Sequence, residues 1–144
     1  MQPGFARLEL TLQNRAPEIR RAHEALDQFA AQHSLSLASL ARLHVALEEH
    51  LTNIISYGYR PGQTGMIQIR FVLSDSNLRV EIADDARPYN PLATPDVDTS
   101  VPLEEKPVGG LGVLLIRKSV DKIEYRRDGE RNVLVLIKSL GSAG

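Results

Sequence analysis

The sequence predicts an α+β fold, a two-layer α/β sandwich in which a mostly antiparallel five-stranded sheet carries helices on one face. Most of five short strand-like segments alternate apolar with polar residues, as strands with one wet face require, while helical segments gather their apolar residues on one side. The strands also come as hairpins rather than alternating singly with helices, which disfavours a parallel, dinucleotide-binding sheet.

The first strand runs from Arg7 to Leu12, with Leu8, Leu10 and Leu12 on one side and Arg7, Glu9 and Thr11 on the other. Asn14 ends it. From about Pro17 to His33, Ile19, Ala22, Leu26, Phe29 and Ala30 recur at helical spacing, with Pro17 tolerated in the first turn. Ser36 is a natural N-cap for a second helix, whose stripe of Leu40, Leu43, Leu47, Leu51 and Ile54 stops at Gly58 or Pro61. A hairpin follows. Ile67, Ile69, Phe71 and Leu73 form one strand, Asp75-Ser-Asn77 turns the chain, and Leu78, Val80 and Ile82 form the next. From Pro91 to Pro107 no period survives: four prolines, Pro91, Pro95, Pro102 and Pro107, and four acids, Asp96, Asp98, Glu104 and Glu105, make a loop of unusual length, and such loops are usually functional or disordered. A short helix opens at the glycines near position 110 and runs through about Val120. The last hairpin pairs Ile123 to Arg127 with Val133 to Lys138 across Asp128-Gly-Glu130.

Composition excludes several function classes. A chain of 144 residues is expected to form one domain, with its core built without metal or disulfide staples. There is no cysteine, so thiol nucleophiles, thiolate metal sites and disulfides are excluded. The 17 basic and 18 acidic residues nearly balance and form no basic stripe, which argues against direct nucleic-acid binding. The apolar runs, such as Val133 to Ile137, are too short to span a bilayer, and Met1-Gln-Pro-Gly4 lacks the features of a signal peptide. A cytoplasmic protein without membrane contact is expected.

Glu49 and Asn53 lie four residues apart on the second helix and therefore project together, a carboxylate base beside a neutral oxygen ligand for a hard cation. They fall away from the Leu47 side of the wheel; a solvated helix face is the plain alternative to a cleft. His50 points about a hundred degrees away from Glu49 and, like His23, His33 and His44, is expected to be structural or surface. Asp84 and Asp85 end the strand, where such residues more often simply start a turn; Asp84, however, follows Ile82 in the alternation and so faces the helices, where a carboxylate without a partner is costly and a ligand amino group would satisfy it. Tyr89, just beyond, either closes over that ligand or packs down. Gly109, Gly110, Leu111 and Gly112 open a helix whose N-terminal end favours phosphate, although so short a run also reads as a hinge.

Together these residues resemble the gyrase, chaperone and histidine-kinase (GHKL, Bergerat-type) ATP-binding superfamily, and most closely its small single-domain anti-sigma-factor serine/threonine kinases. The family's E-x-x-x-N box corresponds to Glu49 to Asn53. Its D-x-G box, followed by x-P-F-x-P, corresponds to Asp84-Asp-Ala-Arg-Pro-Tyr-Asn-Pro91, with Ala86 where the family has glycine. Its Gly-Gly-x-Gly box ahead of L-I-R corresponds to Gly109 to Arg117, and a closing G-x-x-N-x-L-x-L-x-K to Gly129 through Lys138, a strand without the threonine often found there.

The resemblance implies a single histidine-kinase-like ATPase domain over residues 1–144, with an ATP lid at about 91–108. It implies ATP and Mg²⁺ as cofactors, Glu49 as general base, Asn53 as the magnesium ligand and Asp84 as the adenine-reading residue. Ala86, Lys106, Gly109, Gly110, Leu111 and Gly112 would complete the nucleotide site. The implied role is transcription control by partner switching. The partners are a sigma factor and a STAS-domain anti-anti-sigma protein, with a PP2C-type phosphatase in the same pathway, and the expected assembly is a homodimer. Ala86 and the absent threonine also fit an alternative, a non-catalytic adaptor of the same fold with weak or no nucleotide binding. A module of a larger histidine kinase fits less well, since no phosphoacceptor helix pair precedes the domain.

Overall fold

The structure, a computed structural model, describes residues 6–93 and 110–140. Strand β1 spans Ala6–Gln13, and a 3-10 turn at Ala16–Glu18 leads into α1, Ile19–His33. Helix α2 is Leu37–Tyr57, and strands β2 and β3 are Met66–Leu73 and Asn77–Asp84. A second 3-10 turn at Pro91–Ala93 precedes α3, Gly110–Ser119, and β4 and β5 are Lys122–Asp128 and Arg131–Ser139. The expected elements form in the expected order. Element ends fall within about two residues of those expected; α1 begins at Ile19 rather than near Pro17, because Pro17 sits in the tighter 3-10 turn before it.

Local chemistry accounts for the helix ends. The Ser36 hydroxyl accepts a 3.1 Å hydrogen bond from the Ser39 N–H, satisfying an otherwise orphaned donor of the first turn of α2. Ser34 ends α1 in the left-handed conformation, with φ 57°, and lets the chain reverse into α2. At the other end of α2, the Gly58 N–H closes the last turn on the Ile54 carbonyl at 2.8 Å.

The strands form one antiparallel sheet in the order β1-β2-β3-β5-β4. The helices cover one face. There Leu43, Leu47, Leu51 and Ile54 of α2 and Leu26 and Phe29 of α1 join Ile67, Ile69, Phe71, Ile82 and Leu134 in a single core. Burying such side chains contributes about 1.5–3 kcal/mol each, and the rings of Phe29 and Phe71 stack across the two layers with centroids 5.9 Å apart. The opposite face carries charge pairs, Glu9 with Arg70 at 3.0 Å and Glu81 with both Arg79 and Arg126. Strand β5 departs from the alternation expected of a strand with one wet face, since Asn132 through Leu136 are all buried. It is an inner strand, and Val135 lies between its cross-strand partners Glu81 and Glu124.

Two links fix the helices to one another. Between α1 and α2, His23 Nδ1 lies 2.6 Å from His44 Nδ1, and the outer ring nitrogens lie 2.7 Å from Glu48 and Asp27 respectively. Arg42 of α2 donates to the Lys118 carbonyl at the end of α3 at 3.3 Å, where the helix leaves its last carbonyls without partners. Among the described residues no helix is long and apolar enough to cross a membrane.

Candidate functional site

A cavity of about 270 Å³ opens between the C-terminal half of α2 and the ends of β3 and β5. Its walls are largely apolar, among them Ile54, Ala86, Tyr89 and Leu134, with His50, Asn53, Asp84, Arg87 and Asn132 as its polar and charged residues. An apolar slot with a few convergent polar atoms is the form small-ligand sites take.

Asp84 is the last residue of β3, only 3% exposed, and faces the helices as the alternation predicts. Its Oδ1 accepts two hydrogen bonds, from the Ala86 N–H at 3.0 Å and from Asn132 Nδ2 at 2.9 Å. No hydrogen bond among the described residues ends on Oδ2. Burial pushes the Asp84 carboxyl above its ordinary pKa, against the two hydrogen bonds that favour the charged form. A carboxylate held by one oxygen beside a cavity can accept a hydrogen bond from a ligand amino group with the other.

Asn132 organises this end of the site, a role the sequence alone did not reveal. It is the cross-strand partner of Asp84 in the β3–β5 register. Its Nδ2 also donates to the Arg87 carbonyl at 2.9 Å, and its Oδ1 accepts from the Tyr89 N–H at 3.1 Å and the Tyr125 hydroxyl at 2.6 Å. A lone amide at the head of an otherwise apolar strand, in phase with Leu134 and Leu136, was the available signal. Asp85, by contrast, is tied to the Tyr59 hydroxyl at 2.6 Å and the Met66 N–H at 3.0 Å. Partial burial pushes its carboxyl up, but those hydrogen bonds outweigh the effect and hold it below its ordinary range.

Ala86, where glycine was the family expectation, is not strained. Ser34 is the one non-glycine residue with positive φ among those described, so position 86 does not need glycine's conformational freedom. Ala86 is 4% exposed, packs into the core and forms part of the cavity wall. Arg127 holds its carbonyl at 3.1 Å.

Asn53 lines the cavity, and its Nδ2 is buried without a hydrogen-bond partner. Glu49 is half-buried one turn earlier on α2 and is not among the lining residues. Of the two expectations for His50, structural or surface, the surface one is corrected: the residue is 3% exposed, lines the cavity, and has an unpartnered buried Nδ1. Burial lowers its pKa to about 4, so the ring is neutral. The reason is legible in retrospect, since Leu43, Leu47, His50 and Ile54 are themselves spaced as one helical stripe at the border of the core. His23 and His44 are structural, as expected, and His33 packs on Phe29 with ring centroids 4.6 Å apart.

Tyr89 also lines the cavity, at 36% exposure. Gly110, Leu111 and Gly112 form the first turn of α3, as the glycine box predicts. Lys106, Gly109 and the expected lid from residue 94 onward lie outside the described residues. The described start of that segment is fastened, with Arg117 of α3 donating to the Leu92 carbonyl at 3.0 Å.

The sequence pattern of the histidine kinase-like ATPase domain matches residues 12–138. The chain is 26% identical over 139 residues to the serine-protein kinase RsbW of Bacillus cereus strain AH820, spanning 94% of this chain and 86% of that protein. It is equally similar to the protein of that name from Bacillus thuringiensis strain Al Hakam. Among solved structures, the RsbU and RsbW domains of a Mycobacterium tuberculosis protein superpose with a TM-score of 0.68 at 17% identity, over 94% of this chain and 32% of that one. This chain thus spans about a third of that larger protein, and the likeness concerns the fold.

Proposed function

Because the chain belongs to the histidine kinase-like ATPase domain family, we propose that it is an ATP-binding anti-sigma regulator that phosphorylates a serine or threonine of a STAS-type anti-anti-sigma protein. Its similarity to proteins named serine-protein kinase supports that reading. The observation that carries it is the Asp84 carboxylate, buried at the end of an apolar cavity and held through Oδ1 alone by Ala86 and Asn132. An amino-bearing heterocycle such as adenine satisfies such a group, whereas a structural carboxylate in that position would be fully paired.

The donor set fits magnesium. Among the described residues no cluster of three or more His, Asp or Glu side chains could cage a metal. Mg²⁺ in phosphate-binding enzymes takes few protein ligands and completes its octahedron with phosphate oxygens and water. Asn53 would supply the protein ligand, and the ion would neutralise charge on the phosphates. Phosphoryl transfer then asks the protein mainly for positioning. Glu49 accepts the proton of the attacking hydroxyl as its oxygen bonds to the γ-phosphorus and the bond to the β,γ-bridging oxygen breaks, with ADP as the leaving group. The first turn of α3, from Gly110 to Gly112, offers backbone N–H groups to the phosphates. Residues 1–144 act as a single domain, with the segment around 91–108 as lid, Gly109 and Lys106 adjoining the phosphates, and a homodimer as the working assembly.

Release or capture of a sigma factor by partner switching is the regulatory consequence, with a PP2C-type phosphatase reversing the phosphorylation. Calorimetric titration with ATP and Mg²⁺ tests the site: wild-type protein binds, and Asn53→Ala binds at least tenfold more weakly. Transfer of labelled γ-phosphate to a STAS protein, lost in Glu49→Gln with nucleotide binding retained, tests the chemistry. No binding by the wild type at millimolar ATP would leave the adaptor reading, in which the same fold docks its partners without nucleotide.

A further inference from the structure

His50 is 3% exposed, yet no hydrogen bond among the described residues reaches either of its ring nitrogens, and Nδ1 is buried. Leaving such a group without a partner is costly. Its neighbours on the buried side of α2, namely Leu43, Leu47, Leu51 and Ile54, are all aliphatic, so packing alone does not ask for an imidazole there. The other three histidines are accounted for. His23 and His44 join Glu48 and Asp27 in a chain between the helices, and His33 lies against Phe29.

What distinguishes His50 is the wall it occupies. It lines the same cavity as Asp84, Asn132 and Asn53, on the α2 side, whereas the Asp84–Asn132 pair belongs to the ends of β3 and β5. Asp84 as a carboxylate can only accept hydrogen bonds. A neutral imidazole offers one donor as well as one acceptor, and so complements the ring-nitrogen acceptors that flank the amino group of a purine. Its neutrality makes it a poor partner for phosphate, so the base rather than the triphosphate is the matching end of the ligand.

We propose that His50 is a base-reading residue that donates a hydrogen bond, directly or through one water, to a ring nitrogen of the purine. This rests on the nucleotide-binding reading above. His50 is a specificity-determining group and touches neither the transferred phosphoryl nor the metal.

The test is calorimetry of wild type and His50→Leu with Mg²⁺ and ATP, 1-deaza-ATP or 7-deaza-ATP, together with thermal unfolding of each protein without nucleotide. Leucine suits the aliphatic stripe, so the variant is expected to melt at or above the wild-type temperature. It is also expected to bind ATP about five- to tenfold more weakly, the size of one hydrogen bond. One of the two deaza analogues should bind the wild type more weakly than ATP does, but bind the variant as well as ATP does. A purely structural His50 gives the opposite pattern: the variant melts lower, or changes its affinity for ATP and both analogues by one common factor, and either result overturns the proposal. Wild-type protein that binds none of the three nucleotides overturns the nucleotide reading itself, whereas wild-type binding with no analogue selectivity at position 50 overturns only the role of His50.

Discussion

Asn132 Nδ2 lies 2.9 Å from Asp84 Oδ1, and the two residues face each other directly across the β3–β5 pair. One side chain thereby fixes the buried carboxylate, the backbone of Arg87 and Tyr89, and the Tyr125 hydroxyl at the wall of the cavity. Asn132→Ala leaves those groups without partners in a buried site, and an expected loss of about 2–4 kcal/mol follows. Urea unfolding measures it. A loss below half a kilocalorie would mean that water replaces the amide and that Asn132 is not the organiser of this end of the site.

Asp84→Asn separates stability from binding. Burial penalises the ionised carboxyl, so the neutral amide is expected to raise the unfolding free energy of the nucleotide-free protein. Its oxygen can still accept from Ala86 and Asn132. That arrangement turns the amide nitrogen to where the second carboxylate oxygen stood, a donor facing the donor of an adenine amino group. ATP affinity is expected to fall more than tenfold while the melting temperature rises. A variant that melts lower would show that the charge itself holds the site together.

Gly58 and Ala86 set the clearance between the end of α2 and the loop after β3. A Cβ at position 58 would stand 2.6 Å from the Ile54 carbonyl oxygen and 2.8 Å from Ala86 Cβ. Gly58 has φ −82°, so room rather than backbone freedom requires glycine here. Gly58→Ala is expected to cost about 1–3 kcal/mol. Adding Ala86→Gly should recover part of the loss, since it removes one of the two collisions. Chemical denaturation of the single and double variants reads this directly, and purely additive losses would contradict the contact.

His50 gives the stability a signature in acid. Its folded pKa is about 4 and its unfolded value near 6.5, so between those values the unfolded chain binds the extra proton. The stability that neutral His50 preserves is complete above about pH 6.5 and is lost as the pH falls toward 4. Asp84 works in the opposite sense, because its raised folded pKa relieves a penalty on acidification. Comparison with His50→Leu isolates the histidine: the gap in unfolding free energy between variant and wild type should widen by about 2 kcal/mol from pH 7 to pH 5. A gap that does not change with pH would mean that His50 is solvated in the native state.

The fold, the order of its elements and the buried orientation of Asp84 were written in the sequence. They rest on local rules: period-two alternation, a helical stripe, the Ser36 cap and the turn at Asp128-Gly-Glu130 are each encoded within a few residues of one another. Asn53, read from its spacing with Glu49 along a single helix, lines the cavity, whereas Glu49 does not. Asn132, the fate of Ala86 and the burial of His50 were decided only by tertiary structure. Asn132 meets Asp84 because β5 inserts between β3 and β4 in one particular register, which depends on pairing between distant segments. His50 sits at the margin of its helical stripe, where one wheel position separates core from solvent. Its burial depends on how closely the strand ends approach α2, a distance set by packing across two layers rather than by the residues beside it in the chain.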